Sequence, residues 1–133
     1  MSSLKAAVAA RLALEPTPVC CVEKEYHPVA MVTFYPLLAK EWALPWSRLD
    51  ALTFSHEEDR ERIELFFPHH QIVIVGENLQ GTLEPIRTFL VRGLRALPVS
   101  QRVKLRPTDP FIYQLDVRQL DEAENRPAEG MID

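Results

Sequence analysis

Glycine is scarce, with four in 133 residues. Gly76 stands alone well before Gly81, so neither a dinucleotide-binding fingerprint nor a Walker-type phosphate loop can form. Cysteine is scarcer. Cys20 and Cys21 are adjacent, a poor geometry for bonding to each other, and two thiols cannot staple a disulfide framework. They read as ordinary buried thiols. No run approaches the ~18–20 apolar residues of a membrane-spanning helix. Cationic charge does not dominate either: the formal net charge is −4, the wrong sign for most nucleic-acid-binding domains. Gly-x-Ser-x-Gly, Cys-x-x-Cys and His-Glu-x-x-His are all absent. No catalytic residue, metal ligand or cofactor is therefore assigned, and the chain reads as non-enzymatic.

What is present suits a globular domain. Hydrophobic residues make up 47% of the chain and charged ones 26%, and single cores typically serve roughly 100–150 residues. We expect one domain over residues 1–120 and an acidic, flexible tail over 121–133, where apolar periodicity is lost. Near the N-terminus Leu4, Val8 and Leu12 recur at helical spacing, predicting a short amphipathic helix. Arg11 interrupts what would otherwise resemble a signal peptide, so a cytoplasmic location is expected.

From residue 29 the pattern turns to β. Residues 29–35 are rich in branched and aromatic side chains; residues 41–46 suggest a second strand, with Pro45 arguing for an edge, bulge or loop. Residues 49–54 suggest a third. Residues 62–67 and 71–75 flank Pro68-His69-His70 and predict a hairpin. The charged stretch from His56 to Glu61 reads as the turn of an earlier hairpin. Residues 72–75 are apolar on both faces, which predicts a central or doubly covered strand.

Leu79, Leu83, Ile86, Leu90, Leu94 and Leu97 then follow at intervals of three and four. That period predicts an amphipathic helix over 79–97, capped by Asn78 or, with Pro85 in its first turn, by Thr82. Short strands are expected at 19–22, 102–106 and 111–117. The fold expected from these elements is α+β. A meander of about five antiparallel strands between residues 29 and 76, a roll or small barrel, is packed by the C-terminal helix.

Arg87, Arg92, Arg95, Arg102, Lys104 and Arg106 cluster against a single acid, Glu84, and the balance reverses beyond residue 107. On the expected helix Arg87, Arg92 and Arg95 face outward. They form a solvated face, a contact for another copy's acidic tail, or a site for an anion or nucleic acid. Trp42 and Trp46 flank Pro45 and can wall a pocket or sit at an interface. His69 and His70 project to opposite sides of an extended chain, which disfavours joint metal ligation.

The stretch Ile72-Val73-Ile74-Val75-Gly76-Glu77-Asn78-Leu79 resembles the second motif of Sm-like RNA-binding proteins. Valine stands where that family's RNA-contacting arginine precedes the glycine, no first motif accompanies it, and no residue role is carried over. The order of elements is similar to pleckstrin-homology-like domains, an architectural likeness without a motif. The expected function is protein–protein contact, as a scaffold or adaptor and as a homo-oligomer. Anion or nucleic-acid binding through the basic face, and an enzyme with a dispersed site, are the alternatives.

Overall fold

β-Strands take up about half of residues 20–120, the part of the chain that the computed structural model describes. Eight strands form: β1 (Val22–Lys24), β2 (Met31–Tyr35), β3 (Trp42–Pro45), β4 (Ala51–Glu57), β5 (Arg60–Phe67), β6 (His70–Glu77), β7 (Val91–Arg95) and β8 (Phe111–Gln119). They make two four-stranded sheets, ordered β1-β7-β2-β3 and β4-β5-β6-β8. Every pairing is antiparallel except β2 with β7.

The inner faces follow from the alternation. Ile63, Leu65 and Phe67 of β5 and Ile72 and Ile74 of β6 are buried, while Arg62, Glu64 and Val73 between them lie on the other face. Val32 and Phe34 of β2 and Leu44 of β3 bury the facing side of the first sheet. The Phe34 and Phe67 rings meet edge to face with centroids 6.2 Å apart, joining the layers. Two corners close the structure. A 3-10 turn, Trp46–Arg48, leads from β3 into β4; at the other corner Leu97 N–H donates to the Ile112 carbonyl at 2.8 Å.

The hairpin at β5–β6 forms as the sequence predicts, with Phe67 opposite His70 and only Pro68-His69 in the loop. The β4–β5 hairpin forms too, with Glu58 and Asp59 as its loop and Glu58 at φ 51°. β6 lies between β5 and β8, as its two apolar faces imply.

The α+β fold closed by a long C-terminal helix is overturned. The described residues are mostly β, and where the long helix is expected stands a 3-10 turn, Gln80–Thr82, running into the five-residue α1 (Leu83–Arg87). The likeness to pleckstrin-homology-like domains goes with the helix. Strands do fill residues 29 to 76, but β2–β3 and β4–β6 belong to different sheets, so they are no single meander. Residues 102–106 are no strand either; a 3-10 turn, Val99–Lys104, takes the first three of them and a loop the other two. The N-terminal helix and the 121–133 tail lie outside the described residues.

The helix stops early for a local reason. Phe89 N–H donates to the Ile86 carbonyl at 3.1 Å and Leu90 N–H to the Pro85 carbonyl at 2.8 Å. Those two bonds are the Schellman closure, which places one residue in the left-handed region, usually glycine. Here Phe89 occupies it at φ 62°. Beyond it β7 carries a bulge: Glu23 pairs with Gly93 and Lys24 with Val91, leaving Arg92 as the extra residue. The bulge lets Val91 and Leu94, three apart, both face the core. A strand irregularity thus imitates a helical interval.

Neither expected cap works as one. Thr82 is at the N-cap position, but its hydroxyl donates to the Leu79 carbonyl at 2.6 Å and caps nothing. The Glu61 carboxylate accepts from the Leu79 and Gln80 amides, and Asn78 turns elsewhere.

Candidate functional site

The three arginines do not share a face. Arg87 is on α1, whereas Arg92 and Arg95 are on β7. Arg87 lies 3.7 Å from Glu84 in an exposed pair. Arg92 Nε is 2.9 Å from Glu25, and the Arg95 guanidinium is 3.7 Å from Glu23 and 3.9 Å from the Tyr35 ring centroid. Gly93 makes this arrangement possible. A Cβ there would come within 2.3 Å of the Glu23 carboxylate and 3.4 Å of the Tyr35 ring, so both side chains close over a bare backbone. Arg92 and Arg95 therefore meet acids from around β1, distant in sequence. Each of the three guanidiniums has a carboxylate partner.

The tryptophans also part. Trp46 is buried, donates its indole N–H to the Val91 carbonyl at 2.8 Å and stacks between Phe67 and Phe89. It is a pillar of the core and lines neither of the two grooves described below. Trp42 is half-buried, with the Lys40 ammonium 4.5 Å from its ring centroid and the His70 ring at its edge, 5.0 Å away. Burial, then the neighbouring His69, pulls the His70 pKa below its ordinary value, and Nε2 has no hydrogen-bond partner among the described residues. Those residues hold no group of three His, Cys, Asp or Glu side chains suited to a metal ion.

Cys21 is buried, accepts the Ile112 N–H at 3.2 Å, and burial pushes its pKa up to about 11. Partial desolvation, with Glu23 adding, also raises that of the exposed Cys20. Neither thiol is activated as a nucleophile. Beside them runs a groove of about 480 Å³ that includes Lys24, Asn78, Thr82, Arg106 and Asp109. Its polar groups largely satisfy one another. Asn78, at φ 58°, donates to the Pro107 and Asp109 carbonyls at 2.7 and 3.1 Å, and Arg106 pairs with Asp109 at 3.3 Å. A smaller depression of about 290 Å³ lies over Arg60, Arg62, Glu64 and Gln114 on the outer face of the second sheet. There Glu64 receives Arg62 at 3.0 Å and Gln71 at 2.8 Å.

The sheet edges differ more sharply than the grooves. An edge strand exposes unpaired N–H and C=O groups and invites another strand unless it is short, bulged, charged or interrupted by proline. β1 has three residues and lies against the bulge; β3 has four and ends at Pro45. β8 has Ile112 bonded to Leu97 and Cys21, leaves Tyr113 as an extra residue in its ladder, and carries Asp116 and Arg118. β4 is longer than β1 and β3, contains no proline, shows no register shift against β5, and carries a single acid, Glu57, at its end. Its seven residues, Ala-Leu-Thr-Phe-Ser-His-Glu, pair with β5 in unbroken register from Ala51↔Phe66 to Glu57↔Arg60. Among the described residues no strand pairs with its other side. Leu52 and Phe54 are half-buried; the remaining side chains are exposed.

Sequence reasoning found part of this strand and missed its position. Edge placement depends on β8 returning to β6 and not to β4, which no local pattern encodes. No family model, curated protein or solved structure matches the chain.

Proposed function

We propose that this chain is a non-enzymatic protein–protein contact domain whose contact element is the free edge of β4. The supporting observation is the contrast between that unbroken seven-residue strand and the shortened, bulged or covered edges elsewhere. Strand addition supplies affinity through main-chain hydrogen bonds, and alternate side chains supply selectivity. The ion pairs at Arg92 and Arg95 weigh against an anion site built on those residues. No helix among the described residues is long and apolar enough to cross a membrane, and the free thiols of Cys20 and Cys21 suit a reducing, cytoplasmic setting.

A photo-crosslinking residue at position 55, in the full chain and in the cells that make it, tests this reading. Ser55 is exposed on β4, and Gln114, exposed on β8 across the same sheet, is the control position. Protein adducts from position 55 that are absent at 114 support the reading. No adduct at 55, or the same adducts at both positions, contradicts it.

A further inference from the structure

The loop between β4 and β5 has two residues, Glu58 and Asp59, which makes Glu57 and Arg60 the closing hydrogen-bonded pair. Antiparallel ladders alternate hydrogen-bonded and non-bonded pairs. Glu57, Ser55, Thr53 and Ala51 therefore bond to β5. The N–H and C=O groups of Leu52, Phe54 and His56 point away from it, toward the free edge. These three positions are symmetric about Phe54.

We propose that β4 pairs antiparallel with β4 of a second copy about a two-fold axis at Phe54, joining two four-stranded sheets into one. The proposal rests on the reading of β4 as the contact element and names its partner. In that register Leu52 meets His56 of the second copy, Phe54 meets Phe54, and every outward-pointing main-chain group finds a complement. On the outer face Thr53 falls opposite Ser55 of the second copy, two small hydroxyl side chains without charge. Glu57, the strand's one acidic residue, falls opposite Ala51 of the second copy, so the two carboxylates lie at opposite ends. Shifting the axis to Thr53 or Ser55 leaves an outward-facing residue unmatched in each copy. The interface is isologous and closes on itself, yielding a dimer and no fibre. A single strand pair buries less than the ~1,200 Å² of a strong interface, so the dimer forms in the micromolar range or weaker.

Sedimentation equilibrium of the full chain, from micromolar to submillimolar concentration, tests the proposal with two double variants at exposed positions. Thr53→Lys/Ser55→Lys sets like charges opposite each other across the axis and weakens association by at least about tenfold. Thr53→Lys/Ser55→Glu sets opposite charges there and keeps the dimer. Far-ultraviolet circular dichroism confirms that both variants fold. A parent chain that stays monomeric overturns the proposal, even if another stretch of the same chain protects the edge. A Thr53→Lys/Ser55→Lys variant that dimerises like the parent overturns it as well. If the parent is monomeric while position 55 still cross-links to a different protein, self-pairing alone has failed and the contact reading stands.

Discussion

The Trp46 indole N–H donates to the Val91 carbonyl at 2.8 Å, tying the turn after β3 to the strand that stands where a helix was expected. The indole also lies between Phe67 of the opposite sheet and Phe89. Replacing it with phenylalanine keeps a ring but leaves a buried acceptor unsatisfied. Trp46→Phe should cost ~1–3 kcal/mol in urea unfolding, and Trp46→Ala ~3–5 kcal/mol.

Phe89 holds the left-handed position that closes α1, at a cost of about 1–2 kcal/mol for a residue with a Cβ. Phe89→Gly loses the ring stacked on Trp46 but relieves that strain, whereas Phe89→Ala loses the ring and keeps the strain. The glycine variant should be the more stable of the two by about 1–2 kcal/mol in denaturant titrations.

Gly76 and Gly81 make an internal contrast. A Cβ at Gly76 would fall 1.9 Å from the Phe111 carbonyl oxygen, inside the β6–β8 ladder, while one at Gly81 meets nothing within 4 Å. Gly76→Ala should destabilise by about 3 kcal/mol or more, since backbone cannot rotate aside. Gly81→Ala should be neutral or stabilise by up to about 1 kcal/mol. Thermal unfolding of the two variants side by side checks both signs.

The Cys21 thiol carries a pH dependence of known sign. Its pKa rises from 9.0 to about 11 on folding, so above pH 9 the unfolded thiol releases its proton while the folded one retains it. Stability should therefore fall as pH rises from 9 toward 11, and Cys21→Ala should remove that part of the slope. Urea midpoints measured across this range check it. Thiol labelling under native conditions should modify the exposed Cys20 and leave Cys21 until the chain unfolds.

The strands of the second sheet were legible because their alternation is regular: Ile63, Leu65 and Phe67 mark one face without interruption. Residues 79–97 misled for two physical reasons. The bulge at Arg92 brings Val91 and Leu94 to one face at a helix-like interval, and the helix stops at Phe89 where a glycine would have signalled the end. Gly93 held the available hint, since a glycine inside a periodic run often marks a bulge or a close approach. The functional features were less legible. Glu23 and Glu25 neutralise arginines about seventy residues away, and the free side of β4 follows from strand order. Both are properties of topology, which a one-dimensional pattern does not carry.

Residue-resolved amide exchange on β4, followed by NMR as concentration is raised, tests the claim that this edge joins chain to chain. The amides of Leu52, Phe54 and His56 should exchange freely when dilute and slow progressively on concentration, while those of Thr53 and Ser55 stay protected throughout by β5. Exchange at Leu52, Phe54 and His56 that does not change with concentration would contradict it.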